Sequence, residues 1–265
     1  MFDRFNRRIH YLRISVTDRC NLRCAYCMPA GGVALMDRAS ILSFEEIRDL
    51  TAKAVEMGVD KVRLTGGEPL VRHGILDLVR MLAAIPGIAD FAMTTNGVLL
   101  GEFARPLREA GLRRINVSLD AIDPVRFSEI TRGGDVAQVI AGVDAACAAG
   151  FAPVKLNCVV TESPDGPDAR EVAAFAKGRG LEVRFIRRMD LDAGQFWPVV
   201  GGGGGHCHAC SRLRVSSDGR IFPCLFSNVF YSIREHGIET ALRLAVANKP
   251  EAGKRSDVGI HSLGG

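Results

Sequence analysis

Cys20, Cys24 and Cys27 fall within eight residues at C-x3-C-x2-C spacing, in Arg19-Cys20-Asn21-Leu22-Arg23-Cys24-Ala25-Tyr26-Cys27. A loop wound this tightly aims three thiolates at one place. There they can hold three irons of a cubic [4Fe-4S] cluster and leave the fourth iron without a protein ligand. Zinc or unpaired core thiols are the bland readings, but zinc spacings leave two or four residues between cysteines and add a fourth ligand nearby. A second triplet lies far along the chain: Cys207 and Cys210 stand two residues apart, and Cys224 follows after thirteen more. Between them, 213–215 and 220–222 flank Ser216-Ser217-Asp218-Gly219, a hairpin pattern with Asp-Gly at its turn that returns Cys224 to the first pair. Spacing alone leaves two occupants open here, zinc completed by His206 or His208, or a second [4Fe-4S] cluster. The first motif tips the balance towards iron and sulfur. Cys147 and Cys158 match neither motif and read as buried apolar filler.

Eight cysteines in 265 residues do not read as a disulfide framework, because Met1-Phe2-Asp3-Arg4 opens no secretory leader. No apolar run is long enough to span a bilayer. The expectation is a reducing cytoplasm without membrane attachment. A net charge of +4 with no Lys/Arg block argues against nucleic acid, and 47% apolar residues suit one or two globular domains with a sizeable core.

The triplets need a scaffold, and the first 190 residues supply a pattern for one. Strand-like runs at 12–16, 61–65, 90–94, 113–119, 154–160 and 182–186 alternate with helical periods at 43–57, 73–85, 101–110, 124–131, 136–149 and 168–179. Ser43 and Glu46 sit at capping-box spacing before the first helix. Six such repeats call for a parallel sheet with right-handed crossovers. The expected class is α/β, an incomplete (β/α)6 TIM-type barrel, with its ligand site at the C-terminal ends of the strands. The cysteine loop follows the first strand, where that rule puts chemistry.

Thr65-Gly66-Gly67-Glu68-Pro69 ends the second strand. Paired glycines let backbone approach a ligand, and an exposed Glu68 beside rigid Pro69 suits the ammonium and carboxylate of an amino acid. Later strand ends carry Thr94-Thr95-Asn96-Gly97 and Asn116-Val117-Ser118-Leu119-Asp120, which serve equally as turns or as contacts. The fifth and sixth strands bring Lys155, Asn157, Arg184 and Met189. Lysine and arginine near a barrel mouth suit a polyphosphate, or else extend to solvent. Residues 201–205 are five consecutive glycines, the composition of a flexible linker. Three regions are expected: a barrel at 1–190, a linker at 191–205 and an auxiliary-cluster region at 206–265.

With both triplets in place the chain resembles the GTP 3′,8-cyclase family of molybdenum cofactor biosynthesis, within the radical S-adenosylmethionine superfamily. The resemblance rests on Arg13-Ile14-Ser15-Val16-Thr17-Asp18-Arg19-Cys20-Asn21, Thr65-Gly66-Gly67-Glu68-Pro69, Thr94-Thr95-Asn96-Gly97 and Arg113-Arg114-Ile115-Asn116-Val117-Ser118-Leu119-Asp120-Ala121. It resumes at Cys207, Cys210 and Ser211-Arg212-Leu213-Arg214 and ends with Gly264-Gly265. It implies two [4Fe-4S] clusters, one on Cys20, Cys24 and Cys27 and an auxiliary one on Cys207, Cys210 and Cys224. S-adenosylmethionine would lie against Tyr26, Gly67, Glu68, Ser118 and Met189. GTP would meet Arg13, Lys61, Arg63, Thr94, Lys155, Arg184, Arg212, Leu213 and Arg214. The implied lyase reaction cleaves S-adenosylmethionine to a 5′-deoxyadenosyl radical and cyclises GTP to (8S)-3′,8-cyclo-7,8-dihydroguanosine 5′-triphosphate. Arg13, Gly264 and Gly265 would assist it. A flavodoxin- or ferredoxin-type electron donor and a pyranopterin-forming successor enzyme are implied as partners, and a homodimer stays open. In one respect the chain departs from the family: between Arg184 and Cys207 it is much shorter, and the five glycines stand where much of the auxiliary region should be. A radical enzyme that modifies a peptide is the competing activity, and a non-catalytic iron–sulfur protein the competing class.

Overall fold

The computed structural model describes residues 1–263. Six strands, β1 (Tyr11–Ser15), β2 (Lys61–Thr65), β3 (Asp90–Thr95), β4 (Arg114–Ser118), β5 (Lys155–Val160) and β6 (Glu182–Arg187), pair in parallel in chain order. Helices α1 (Phe44–Glu56), α2 (Ile75–Ala83), α3 (Leu100–Glu109), α4 (Pro124–Thr131), α5 (Val136–Ala148) and α6 (Pro167–Gly178) make the crossovers. Ser43 caps α1 as its spacing predicts. Its hydroxyl accepts from the Glu46 amide at 3.1 Å, and its own amide donates to the Glu46 carboxylate at 2.7 Å. Two of the orphan donors at that helix end are thereby satisfied.

The hairpin does not form a body of its own. Its first strand, β7 (Arg212–Val215), pairs in parallel with β1, and β8 (Arg220–Phe222) and β9 (Tyr231–Ser232) follow antiparallel. The sheet therefore runs β6-β5-β4-β3-β2-β1-β7-β8-β9, open between its two ends, an incomplete barrel extended by one hairpin. The alternation in β7 explains the docking. Leu213 and Val215 join the apolar core with Leu12 and Ile14 of β1, while Arg212 and Arg214 turn to the other face. After β9, the short α7 (Ile233–His236) leads into α8 (Ile238–Ala247), which buries Ala241, Leu242, Ala245 and Val246. The last helix is α9 (Ile260–Leu263).

The glycine run, expected as a linker, lies packed along the edge of β6. Phe185 and Val200 exchange backbone hydrogen bonds at 3.0 and 3.1 Å, and the Val199 amide donates to Gly204 at 3.0 Å. Gly201 has φ +76°, and a Cβ there would stand 2.4 Å from the Val183 carbonyl oxygen. Glycine serves here because the backbone presses on a strand edge that would otherwise be open. Among the described residues no helix is long and apolar enough to cross a membrane.

Candidate active site

The cysteine loop leaves the C-terminal end of β1 and is held from two sides. On one side the end of α4 supports it. The Ala25 amide donates to Ile130 at 2.9 Å, and Arg132, at φ +57°, donates to the carbonyls of Arg23 and Met28 at 3.2 and 2.9 Å. On the other side lies the glycine pair. The Gly67 amide donates to Thr17 and the Glu68 amide to Arg19, both at 2.8 Å. A Cβ on Gly67 would stand 2.3 Å from the Arg19 carbonyl oxygen. The close approach that the pair permits is thus to the cysteine loop itself.

Glu68 corrects an expectation, since it is 1% exposed rather than open to solvent. Its carboxylate accepts from the Leu70 amide at 3.0 Å, the Thr95 hydroxyl at 2.8 Å and the Asn96 amide at 2.6 Å. Burial raises its pKa to about 7 against these three hydrogen bonds. Asn96 in turn donates to Asn21 at 2.7 Å and lies 3.8 Å from the Cys20 sulfur. Tyr26, between two of the cysteines, donates to Asp120 at 2.8 Å, and the other oxygen of Asp120 accepts from the Val159 amide at 2.7 Å. Burial pushes the Cys24 thiol up to about 12 and Cys27 to about 11, helped by Asp120 for Cys24 and by neighbouring cysteines for both. Ligation by metal therefore has to displace protons from this loop.

The inner face of the sheet carries two rows of polar side chains set by strand register. Arg63, Arg13 and Arg214 face one another across β2, β1 and β7. One pleat towards the N-terminal ends lie Lys61, Tyr11 and Arg212. Arg63, buried to 2% exposure, donates to the Tyr11 hydroxyl at 2.5 Å and to Thr94 at 3.0 Å. Burial, with repulsion from Arg63 and Arg212, lowers Arg13 to about 10; burial, with Arg13 and Arg212, lowers Arg214 to about 9. Both remain cationic at neutral pH. Burial alone would raise the Tyr11 phenol, yet Arg13, Arg63, Lys61 and Arg212 bring it down to about 8.

These side chains line a cavity of about 330 Å³ together with Arg184, Met189 and all three cysteines of the second triplet. Asn116 Oδ1, Asn157 Oδ1 and Arg184 Nε, which also belong to its lining residues, find no hydrogen-bond partner among the described residues. Buried polar atoms left in that state mark a place for a polar ligand. The second triplet sits at the start of β7 and the end of β8, so the two triplets lie at opposite ends of the β1–β7 pair. Five residues of β1 rise roughly 16 Å between them. Each donor set is three thiols, which suits a cube with one iron left open. Among the described residues no three His, Cys, Asp or Glu side chains converge as tightly as a single metal ion requires.

Most of the expected site residues converge, and a few do not. Ser118 stands at the end of β4 in register with Asn157 and Arg184. Lys155 is tied to Glu182 on the neighbouring strand. The Leu213 side chain belongs to the apolar core on the opposite face, so only its backbone could meet a ligand there. Cys158 is buried as expected, but Cys147 is exposed on α5. Gly264 and Gly265 lie outside the described residues. Tyr11, Trp197 and Lys249 line the cavity without having been singled out, while Asn116, read from the sequence as turn or contact, does line it. For Tyr11, its place two residues before Arg13 on a strand was the available signal; for Lys249 there was none.

Residues 14–176 match the Radical SAM superfamily. A GTP 3′,8-cyclase of Alkaliphilus oremlandii is 37% identical over 320 residues, covering the whole of both chains. One of Moorella thermoacetica is 41% identical over 85% of this chain and 84% of its own. This chain belongs to the GTP 3′,8-cyclase family. The alignment of 320 positions exceeds the 265 residues here, so the Alkaliphilus relative carries internal stretches that this family member lacks. The fold agrees with that of solved radical SAM structures. SuiB of Streptococcus suis bound to S-adenosylmethionine superposes with a TM-score of 0.67 at 15% identity, over 86% of this chain and 64% of its own. The enzyme anSMEcpe with bound AdoMet gives 0.62 at 16%, over 90% and 81%.

Proposed function

We propose that the protein is a lyase that uses S-adenosylmethionine and two [4Fe-4S] clusters to convert GTP to (8S)-3′,8-cyclo-7,8-dihydroguanosine 5′-triphosphate, in molybdenum cofactor biosynthesis. The reading is carried by the row of Arg63, Arg13 and Arg214 across the sheet between the two cysteine triplets. Cys20, Cys24 and Cys27 would hold one cluster, Cys207, Cys210 and Cys224 the other. Together with S-adenosylmethionine the first cluster supplies hydrogen abstraction from an unactivated C–H bond.

The remaining work belongs to the chain. Arg13, Arg63, Arg184, Arg212 and Arg214, with Lys61, offer forked and single donors to a triphosphate whose negative charge relieves their mutual repulsion, while Lys155 stays paired with Glu182 beside them. Asn116 and Asn157 present acceptors for sugar hydroxyls or the guanine amino group, and Thr94 holds Arg63 in place. Tyr26, Ser118 and Met189 would form the cofactor side, with Gly67 and Glu68 supporting the cysteine loop behind it. Phe196, Trp197, Leu225 and Phe226 line the cavity with apolar surface that excludes water from a reactive carbon. A role for Gly264 and Gly265 is supported by the residue before them: Arg214 donates to the Leu263 carbonyl at 3.2 Å, which ties the last described residue to the arginine row. A one-electron donor of the flavodoxin or ferredoxin type and an enzyme that consumes the cyclised nucleotide complete the scheme.

The test is anaerobic. The chain is reconstituted with iron and sulfide, reduced, and given S-adenosylmethionine with and without GTP, and both 5′-deoxyadenosine and the nucleotide are followed by mass spectrometry. Deoxyadenosine that rises with GTP, together with a new GTP isomer, is the expected result. Cleavage that is indifferent to GTP and yields no isomer would overturn the substrate; no cleavage by a fully loaded protein would overturn the activity.

A further inference from the structure

Lys249 follows α8 and is buried to 2% exposure. Its Nζ donates to the Arg212 carbonyl at 2.7 Å and to the Pro223 carbonyl at 2.6 Å. Those two carbonyls lie two residues after Cys210 and one residue before Cys224. One ammonium therefore spans both arms of the second triplet.

The charges facing it are Cys210, Cys224 and Arg7. Arg7 has its own counter-ion, Asp3 at 2.6 Å, and uses its remaining donors on the carbonyls of Cys207, Pro250 and Glu251 at 2.6–2.9 Å. It fastens the strap that carries Lys249 to the other end of the triplet. The strap is also pressed against Cys224: a Cβ on Gly253 would lie 3.1 Å from the Cys224 sulfur and 2.5 Å from the Phe226 Cβ. A buried ammonium without a carboxylate is costly, whereas carbonyls satisfy its hydrogens without cancelling its charge. Among the described residues the anions within reach are the thiolates and whatever they hold, and three thiolates on a [4Fe-4S] cube leave a net negative charge.

We propose that Lys249 is a positioning residue for the second cysteine triplet: it ties the Cys210 and Cys224 arms together and compensates the charge of the group they hold, favouring its reduced form. This rests on the reading of that triplet as a cluster site. Net charge and hydrogen bonding around the sulfurs are what set the potential of such clusters.

The full-length chain carrying C20A, C24A and C27A can hold a cluster only at the second triplet. Four irons per chain and a cluster signal in electron paramagnetic resonance establish the reading of the triplet; zinc or no metal would overturn both that reading and this proposal. In the same background, Lys249→Gln is expected to move the oxidised-to-reduced ratio at a fixed potential at least tenfold towards the oxidised form, about 59 mV for one electron. Lys249→Arg, which keeps the charge, is expected to restore most of that shift. Loss of iron in Lys249→Gln but not in Lys249→Arg, with thermal melting unchanged, supports the tie between the arms. An unchanged potential and iron content in Lys249→Gln, or equal iron loss in both variants, overturns the proposal while leaving the cluster site standing.

Discussion

Arg13 and Arg214 lie directly opposite each other across the parallel β1–β7 pair, both nearly buried, with Arg63 completing the row on β2. Like charges in register repel, and burial adds a desolvation cost to each. The row is therefore poised for an anion. Arg214→Met should weaken GTP binding by roughly 10- to 100-fold, the loss of about 1.5–3 kcal/mol for a hydrogen bond to a charged group. The nucleotide-free protein loses the Arg214–Leu263 hydrogen bond along with a like-charged neighbour of Arg13, two opposing effects, so its melting temperature should change little. Calorimetric titration and a thermal melt read the two arms, and unchanged affinity would remove Arg214 from the substrate site.

Tyr11 gives the same cluster a pH signature. Its phenol is brought to about 8 against an ordinary 10, so the folded state binds fewer protons than the unfolded one between those values. The resulting stability is complete above pH 10 and is lost as pH falls through 8. Absorbance near 295 nm should show one tyrosine titrating near 8, absent in Tyr11→Phe. GTP, by neutralising the cations, should raise that midpoint. A single transition near 10 would contradict the reading.

Glu68 works in the opposite sense. Burial raises it to about 7, so the folded state binds more protons than the unfolded one, and its contribution to stability falls as pH rises from about 4.5 to 7. Glu68→Gln places an amide donor among the donors of Leu70, Thr95 and Asn96. The expected cost is about 1–3 kcal/mol near pH 5, shrinking towards pH 8, where the wild-type carboxylate pays for its charge. Denaturant melts across that range decide it; a cost independent of pH would show that Glu68 does not titrate there.

Gly67→Ala brings a methyl group into the Arg19 carbonyl. Backbone cannot yield cheaply at 2.3 Å, so the cysteine loop must shift. The expected outcome is loss of about half the iron bound on reconstitution, with the second triplet still loaded. Full iron content in this variant would mean that the loop tolerates the displacement.

The strand–helix repeat was legible because its physics is local. Periodicity places β1 to β6 and α1 to α6 within a residue or two of the structure, and the capping box at Ser43 needs only residues three apart. The cysteine spacings were legible for a similar reason, since thiolates must lie close in sequence to converge from one loop. The glycine run was misread, because composition reports what a backbone can do and not which strand edge it lies on. Glu68 was misplaced in solvent because its partners, Thr95 and Asn96, come from another strand.

By itself, then, the sequence determined the two sets of thiols, the repeat that carries the first of them, and the family. Tertiary structure alone decided that the hairpin joins β1, so that arginines 201 residues apart in sequence, Arg13 and Arg214, share one register row. It also decided that Lys249 is buried beside the second triplet. Register between distant strands and the burial of a lone charge depend on which surfaces meet, and no local pattern of residue types encodes that meeting.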